Sequence, residues 1–111
     1  MSDKNNFGYL GYNFQIKLIS QLILDKKFTT TIVDVLEAKY FDNQYFKLIM
    51  QMIKEYYEKY DVPPSFDALD QIARLEVTSD IARKTVFDML KDIKDCPFED
   101  HLWIQEKSLK F

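Results

Sequence analysis

The residues best equipped for chemistry in this 111-residue chain cluster near its end, where Cys96-Pro97-Phe98 leads into Glu99-Asp100-His101. The single histidine beside two carboxylates holds the parts of a proton shuttle or a metal site. Three adjacent residues lack the helical spacing that metal ligands need, so the plainer reading is helix capping and surface. Cys96 would need a neighbouring base to act as a nucleophile; none is identifiable, and Pro97 marks a turn. Tyr56, Tyr57 and Tyr60 could stack on nucleic-acid bases, but they stand at helical spacing beside Ile49 and Ile53 with no interleaved arginine, which favours core. The glycines, Gly8 and Gly11, are not followed by the Lys-Ser/Thr pair of a phosphate-cradling loop, which excludes nucleotide hydrolysis by this segment. No catalytic, cofactor-binding or metal-binding residue is therefore expected.

The elements that carry these residues follow from composition. Only two Gly and three Pro leave too little turn chemistry for many short strands. A hydrophobic share of 47% and an aromatic share of 15% supply ample side chains for burial. The expected fold is all-α: a compact bundle of about six helices around a central long helix, built as one domain. Fifteen Lys and Arg among eighteen acids give a net charge of -3, which disfavours gripping DNA or RNA as a primary role. One cysteine fits a reducing compartment, and no run approaches the roughly 18 apolar residues of a membrane span. The polar opening Met1-Ser2-Asp3-Lys4 has no signal-peptide character, so export is not expected.

Residues 1–13 read as a flexible N-terminal segment and 14–111 as the helical domain. Phe14, Leu18 and Leu22 predict a first helix over 14–25, capped by Asn13. Thr31 with Asp34 three residues later predicts a short second helix ending near Ala38. Asp42 or Asn43 caps a long helix over 44–60, whose stripes Tyr45-Ile49-Ile53-Tyr56-Tyr60 and Phe46-Met50-Tyr57 cover more than half its circumference. That width predicts a central position. Pro63-Pro64 ends it and Ser65 caps a fourth helix over 66–76. A fifth spans 80–94 with Val86, Met89, Leu90 and Ile93 inward, and a sixth starts near Phe98 or Glu99 with Leu102 and Leu109 aligned. Having no stop signal before Phe111, the last helix is expected to be truncated.

Phe87, Trp103, Ile104 and Phe111 fall off the main stripes of their helices. They are the candidate protein interface, against the alternative of a second packed layer.

Two segments resemble the N-terminal domain of DnaB-type replicative DNA helicases, in particular the subgroup of T-even-like phages. One is the aromatic helix from Tyr40-Phe41 to Tyr60 leading into Val62-Pro63-Pro64-Ser65-Phe66-Asp67-Ala68-Leu69. The other is Cys96-Pro97-Phe98-Glu99-Asp100-His101-Leu102-Trp103. The chain departs from the pattern in its doubled proline and in Phe98 between Pro97 and Glu99. The resemblance implies a collar domain over a hexameric, ATP- and Mg-dependent 5′ to 3′ helicase motor that would lie beyond residue 111. It implies self-assembly, primase and a helicase loader as partners, no direct nucleic-acid or membrane binding, and the cytoplasm of a bacterial host. A stand-alone phage replication adaptor, a helicase loader or primase-binding protein, is the alternative on the same logic. An enzyme using His101 with Glu99 or Asp100 is the alternative of a different class.

Overall fold

Helix α1, Tyr12–Leu24, is apolar on most sides, and that organises the fold. Phe14, Leu18 and Leu22 form one buried stripe, while Ile16, Ile19 and Ser20 are buried on others. A helix without a wet face needs neighbours all round. Here α2 (Lys26–Ile32), α5 (Asp80–Asp95) and α6 (His101–Ser108) pack on it directly. Helix α3 (Gln44–Tyr60) meets it at the Tyr12 and Phe46 rings, whose centroids lie 5.2 Å apart, and α4 (Phe66–Glu76) packs on α3 and α5. The computed structural model describes residues 10–109, and among these there are six α-helices, a 3₁₀ turn at Ala38–Tyr40 and no strand. Its radius of gyration is 13.1 Å, the size of roughly 100 residues folded as one unit. No helix among the described residues is long and apolar enough to cross a membrane.

The chemistry of the helix ends sets most boundaries. Asn43 Oδ1 accepts from the Tyr45 amide at 2.7 Å to open α3, and Ser65 Oγ accepts from the Ala68 amide at 3.1 Å to open α4. Between them Asp61 takes the left-handed conformation (φ 62°), its amide donating to Tyr57 O before Pro63 and Pro64 bar any continuation. Ser79 caps α5 through the Ala82 amide. These ends agree with the sequence reading.

Three expectations are corrected. The first helix starts at Tyr12, so Asn13 lies inside it; Gly11, at φ 93°, precedes it without a side-chain cap. Of the segment expected to be flexible, residues 1–9 lie outside the described residues. The second helix begins at Lys26, not Thr31, because Asp25 Oδ1 caps it by accepting from the Phe28 amide at 3.1 Å. The Thr29, Thr30 and Thr31 hydroxyls donate back to carbonyls four residues earlier, which turns them toward the preceding turn and away from the later amides a cap would accept from.

The third correction concerns the centre. Helix α3 buries Phe46, Ile49, Met50, Met52 and Ile53, but its last turns emerge and Tyr60 is 53% exposed. The tyrosines extend the apolar stripe in sequence, yet their hydroxyls favour a rim with access to water or polar partners. Tyr57 OH meets Thr30 Oγ1 at 3.2 Å, and Tyr56 packs on Tyr60 with centroids 4.6 Å apart. The central helix is therefore α1.

Two polar side chains of α1 generate tests. Gln15 is satisfied, donating to Gly11 O and accepting from the Asp42 amide, whereas buried Gln21 Oε1 has no partner among the described residues. A buried acceptor left unpaired costs on the order of 1–3 kcal/mol. Gln21→Met, close in volume, is expected to stabilise the fold by about 1 kcal/mol and raise the melting temperature by about 4–8 °C; an unchanged or lower melt would show that the carbonyl is satisfied.

Tyr12 OH donates to Asp92 at 3.0 Å, tying α1 to α5, and burial together with that carboxylate pushes the phenol up from 10.0 to about 12. A raised phenol favours the neutral form in the fold. Its contribution is whole below pH 10.0 and disappears as pH rises toward 12. Because Tyr12 is 46% exposed, the bond is worth no more than about 0.5–1 kcal/mol. Denaturation of wild type and Tyr12→Phe should show that small advantage for wild type at neutral pH and its loss across the alkaline window; a constant difference would disprove the linkage.

Candidate interaction surface

The Cys96–Trp103 region is a docked joint. Lys17 on α1 reaches Asp100 at 3.0 Å and Glu99 at 3.5 Å, which clamps the loop before α6; the hydrogen bond to Asp100 is the main reason the Lys17 ammonium is raised. Asp100 stands at the head of α6 in the left-handed conformation, φ 57°, without a side-chain capping bond. His101 stacks on Phe98 with ring centroids 4.8 Å apart. Glu99 and Asp100 thus share Lys17, while His101 faces Phe98. Cys96 is half-buried against the core. Among the described residues no group of three or more His, Cys, Asp or Glu is placed to hold a metal ion.

A second tie holds α6 from its inner side. Gln105 Nε2 donates to Asp25 Oδ2 at 3.0 Å, so one carboxylate caps α2 and receives α6 at once. Accepting from the Phe28 amide, and then from Gln105, holds Asp25 below the ordinary aspartate range. Ile104, 2% exposed, and Ser108 are buried on this side. Residues 101, 104, 105 and 108 form the inner stripe that helical geometry demands.

The outer face is then fixed. Leu102 is 73% exposed, and Leu109 shares its side of the helix together with Glu106. Trp103 lies at the flank, 49% exposed, edge-on to Phe14 at 6.0 Å, with the Lys107 ammonium 5.8 Å from its ring centre. Phe98 adds exposed aromatic surface at the preceding loop. An uncovered row of this kind is what a protein partner buries.

The four interface candidates therefore have different fates. Trp103 belongs to the exposed flank of α6. Ile104 is core and is withdrawn from the interface: packing on α1 takes the Ile104 side inward and turns Leu102 and Leu109, aligned as expected, outward. Phe87 is half-buried on α5 beneath the Arg74 guanidinium, 4.9 Å from its ring centre, so it faces α4 and not α6. Phe111 lies outside the described residues. Sequence reasoning missed Leu102 and Phe98; the signal was present in two leucines seven apart, but nothing local says which side of so short a helix is wet.

This register makes a direct prediction. Ile104→Ala should cost about 2–5 kcal/mol as a core truncation, while Leu102→Ala should change stability by no more than about 0.5 kcal/mol. Chemical denaturation of the two variants decides it, and equal losses would return Leu102 to the core.

Comparison with protein-family models, with curated proteins and with solved structures finds no match to this chain.

Proposed function

We propose that this chain is the N-terminal collar and interaction domain of a phage replicative DNA helicase of DnaB type. The observation that carries the reading is the resemblance of two segments that both serve as joints in a wholly helical fold: the Val62-Pro63-Pro64-Ser65 turn between α3 and α4, and the Cys96 to Trp103 run entering α6. A collar needs helices locked against one another and an outer face left for neighbours. The Lys17 and Gln105 ties provide the first, and the row of Leu102, Trp103 and Leu109 offers the second. In this reading ATP and Mg²⁺ belong to a motor outside these residues, and the domain governs how subunits meet and how primase is received.

Sequencing the source DNA beyond the Phe111 codon tests the proposal. The expected result is an open frame encoding a phosphate-binding loop of the Gly-rich, Lys-Ser/Thr type. A stop codon without such a segment would overturn the collar and leave the replication adaptor. On the longer polypeptide, Leu102→Asp with Trp103→Ala should reduce hexamer or primase association in sedimentation by more than it lowers the melting temperature.

A further inference from the structure

Helices α4 and α5, joined by only three residues, fold back on each other and leave a groove of about 320 Å³ along one side. From α4 come Phe66, Asp70 and Arg74, spaced by four and so on one stripe. From α5 come Phe87, Leu90, Lys91 and Lys94. The lining is ordered by chemistry. Leu90 is buried, and Phe66 and Phe87 are half-buried against the core, giving an apolar floor. Arg74, Lys91 and Lys94 are exposed at the rim, three cations to the single carboxylate of Asp70.

Those cations stand out in a chain whose net charge is -3. Lys91 is held by Asp95 at 2.9 Å, but among the described residues no carboxylate pairs with Arg74 or Lys94. Arg74 instead lies over the Phe87 ring, its guanidinium edge available for a carboxylate.

We propose that this groove binds an acidic peptide segment of another protein. One large apolar side chain of that segment rests on Phe66 and Leu90 beside the Arg74-covered ring of Phe87, and its flanking Asp or Glu carboxylates meet Arg74 and Lys94. The groove volume is at the lower end of ligand sites and suits one or two side chains, with the remaining contact made at the rim. Charge complementarity then selects the partner and speeds encounter. A nucleic-acid strand is the competing polyanion, but it binds by stacking on open ring faces. Arg74 already covers Phe87, which leaves no open ring face there for a base to stack on. The inference is independent of the collar reading, since it uses only the α4–α5 groove.

The test is selection from a displayed random-peptide library on the 111-residue protein, with each selected peptide measured against variants. Arg74→Glu combined with Lys94→Glu changes two exposed side chains that bear no ion pair among the described residues, and circular dichroism and thermal melting check that the variant folds. Selected peptides should carry an aromatic or leucine flanked by Asp or Glu, should bind the double variant roughly tenfold or more weakly, and should weaken as salt rises. Lys84→Glu, a single charge reversal of the same kind outside the groove, should leave binding intact. Failure to select any peptide, selection of neutral or basic peptides, or equal binding by the double variant would overturn the proposal. So would a labelled oligothymidylate that binds wild type and is lost in the double variant, which would assign the groove to nucleic acid.

Discussion

Everything in this fold depends on keeping α1 dry. Leu18, Ile19 and Leu22 are fully buried on a helix that also buries Gln15, Ser20 and Gln21. Each large aliphatic side chain contributes roughly 1.5–3 kcal/mol through burial, so exposing α1 would cost more than the few kcal/mol by which a small domain is stable. The consequence is architectural: α2, α5 and α6 have to close on it, and each closure carries a polar tie as well as apolar packing. Asp25 serves α2 and α6 together, Lys17 holds the loop before α6, and Tyr12 reaches Asp92 on α5. Such ties contribute little energy individually. Their effect is to select one register among several that apolar contact alone would accept.

Helix α6 illustrates the point. Its apolar residues do not define a face: Leu102 and Leu109 lie on one side, Ile104 on the other, and Trp103 between them. Hydrophobicity alone would let the helix roll. The bonds from Gln105 to Asp25 and from Lys17 to Asp100 decide the matter, because in the rolled helix Gln105 would turn away from Asp25. The uncovered leucines follow from that polar choice.

This also explains what could be read from the sequence. The limits of α3 and α4 were legible because their determinants are local: Asn43, the pair Pro63-Pro64, and Ser65 act within a few residues. The second helix was misread because a threonine hydroxyl serves equally as a cap or as a bond back into a helix, and only the competing Asp25 settles it. The centre was misplaced because the four tyrosines of α3, Tyr45, Tyr56, Tyr57 and Tyr60, count as apolar in a periodicity and as polar at a rim. The register of α6 rests on partners about 80 residues away in the chain, and the α4–α5 groove on Arg74 meeting Phe87 across a turn. The stripe of Phe66, Asp70 and Arg74 was visible in sequence, but not what it would face.

The molecule therefore carries two surfaces of unlike chemistry on one core. The outer row of α6 is apolar with few charges, and burying it requires close steric fit. The α4–α5 groove is apolar below and cationic above, and its charges act at a distance that salt can screen. Helix α1 packs against both α5 and α6, so the two surfaces are mounted on the same buried element and share its rigidity. The first kind of surface suits contact with another apolar face, which needs no charge to be recognised. The second selects its partner by charge, through the exposed Arg74 and Lys94 at its rim.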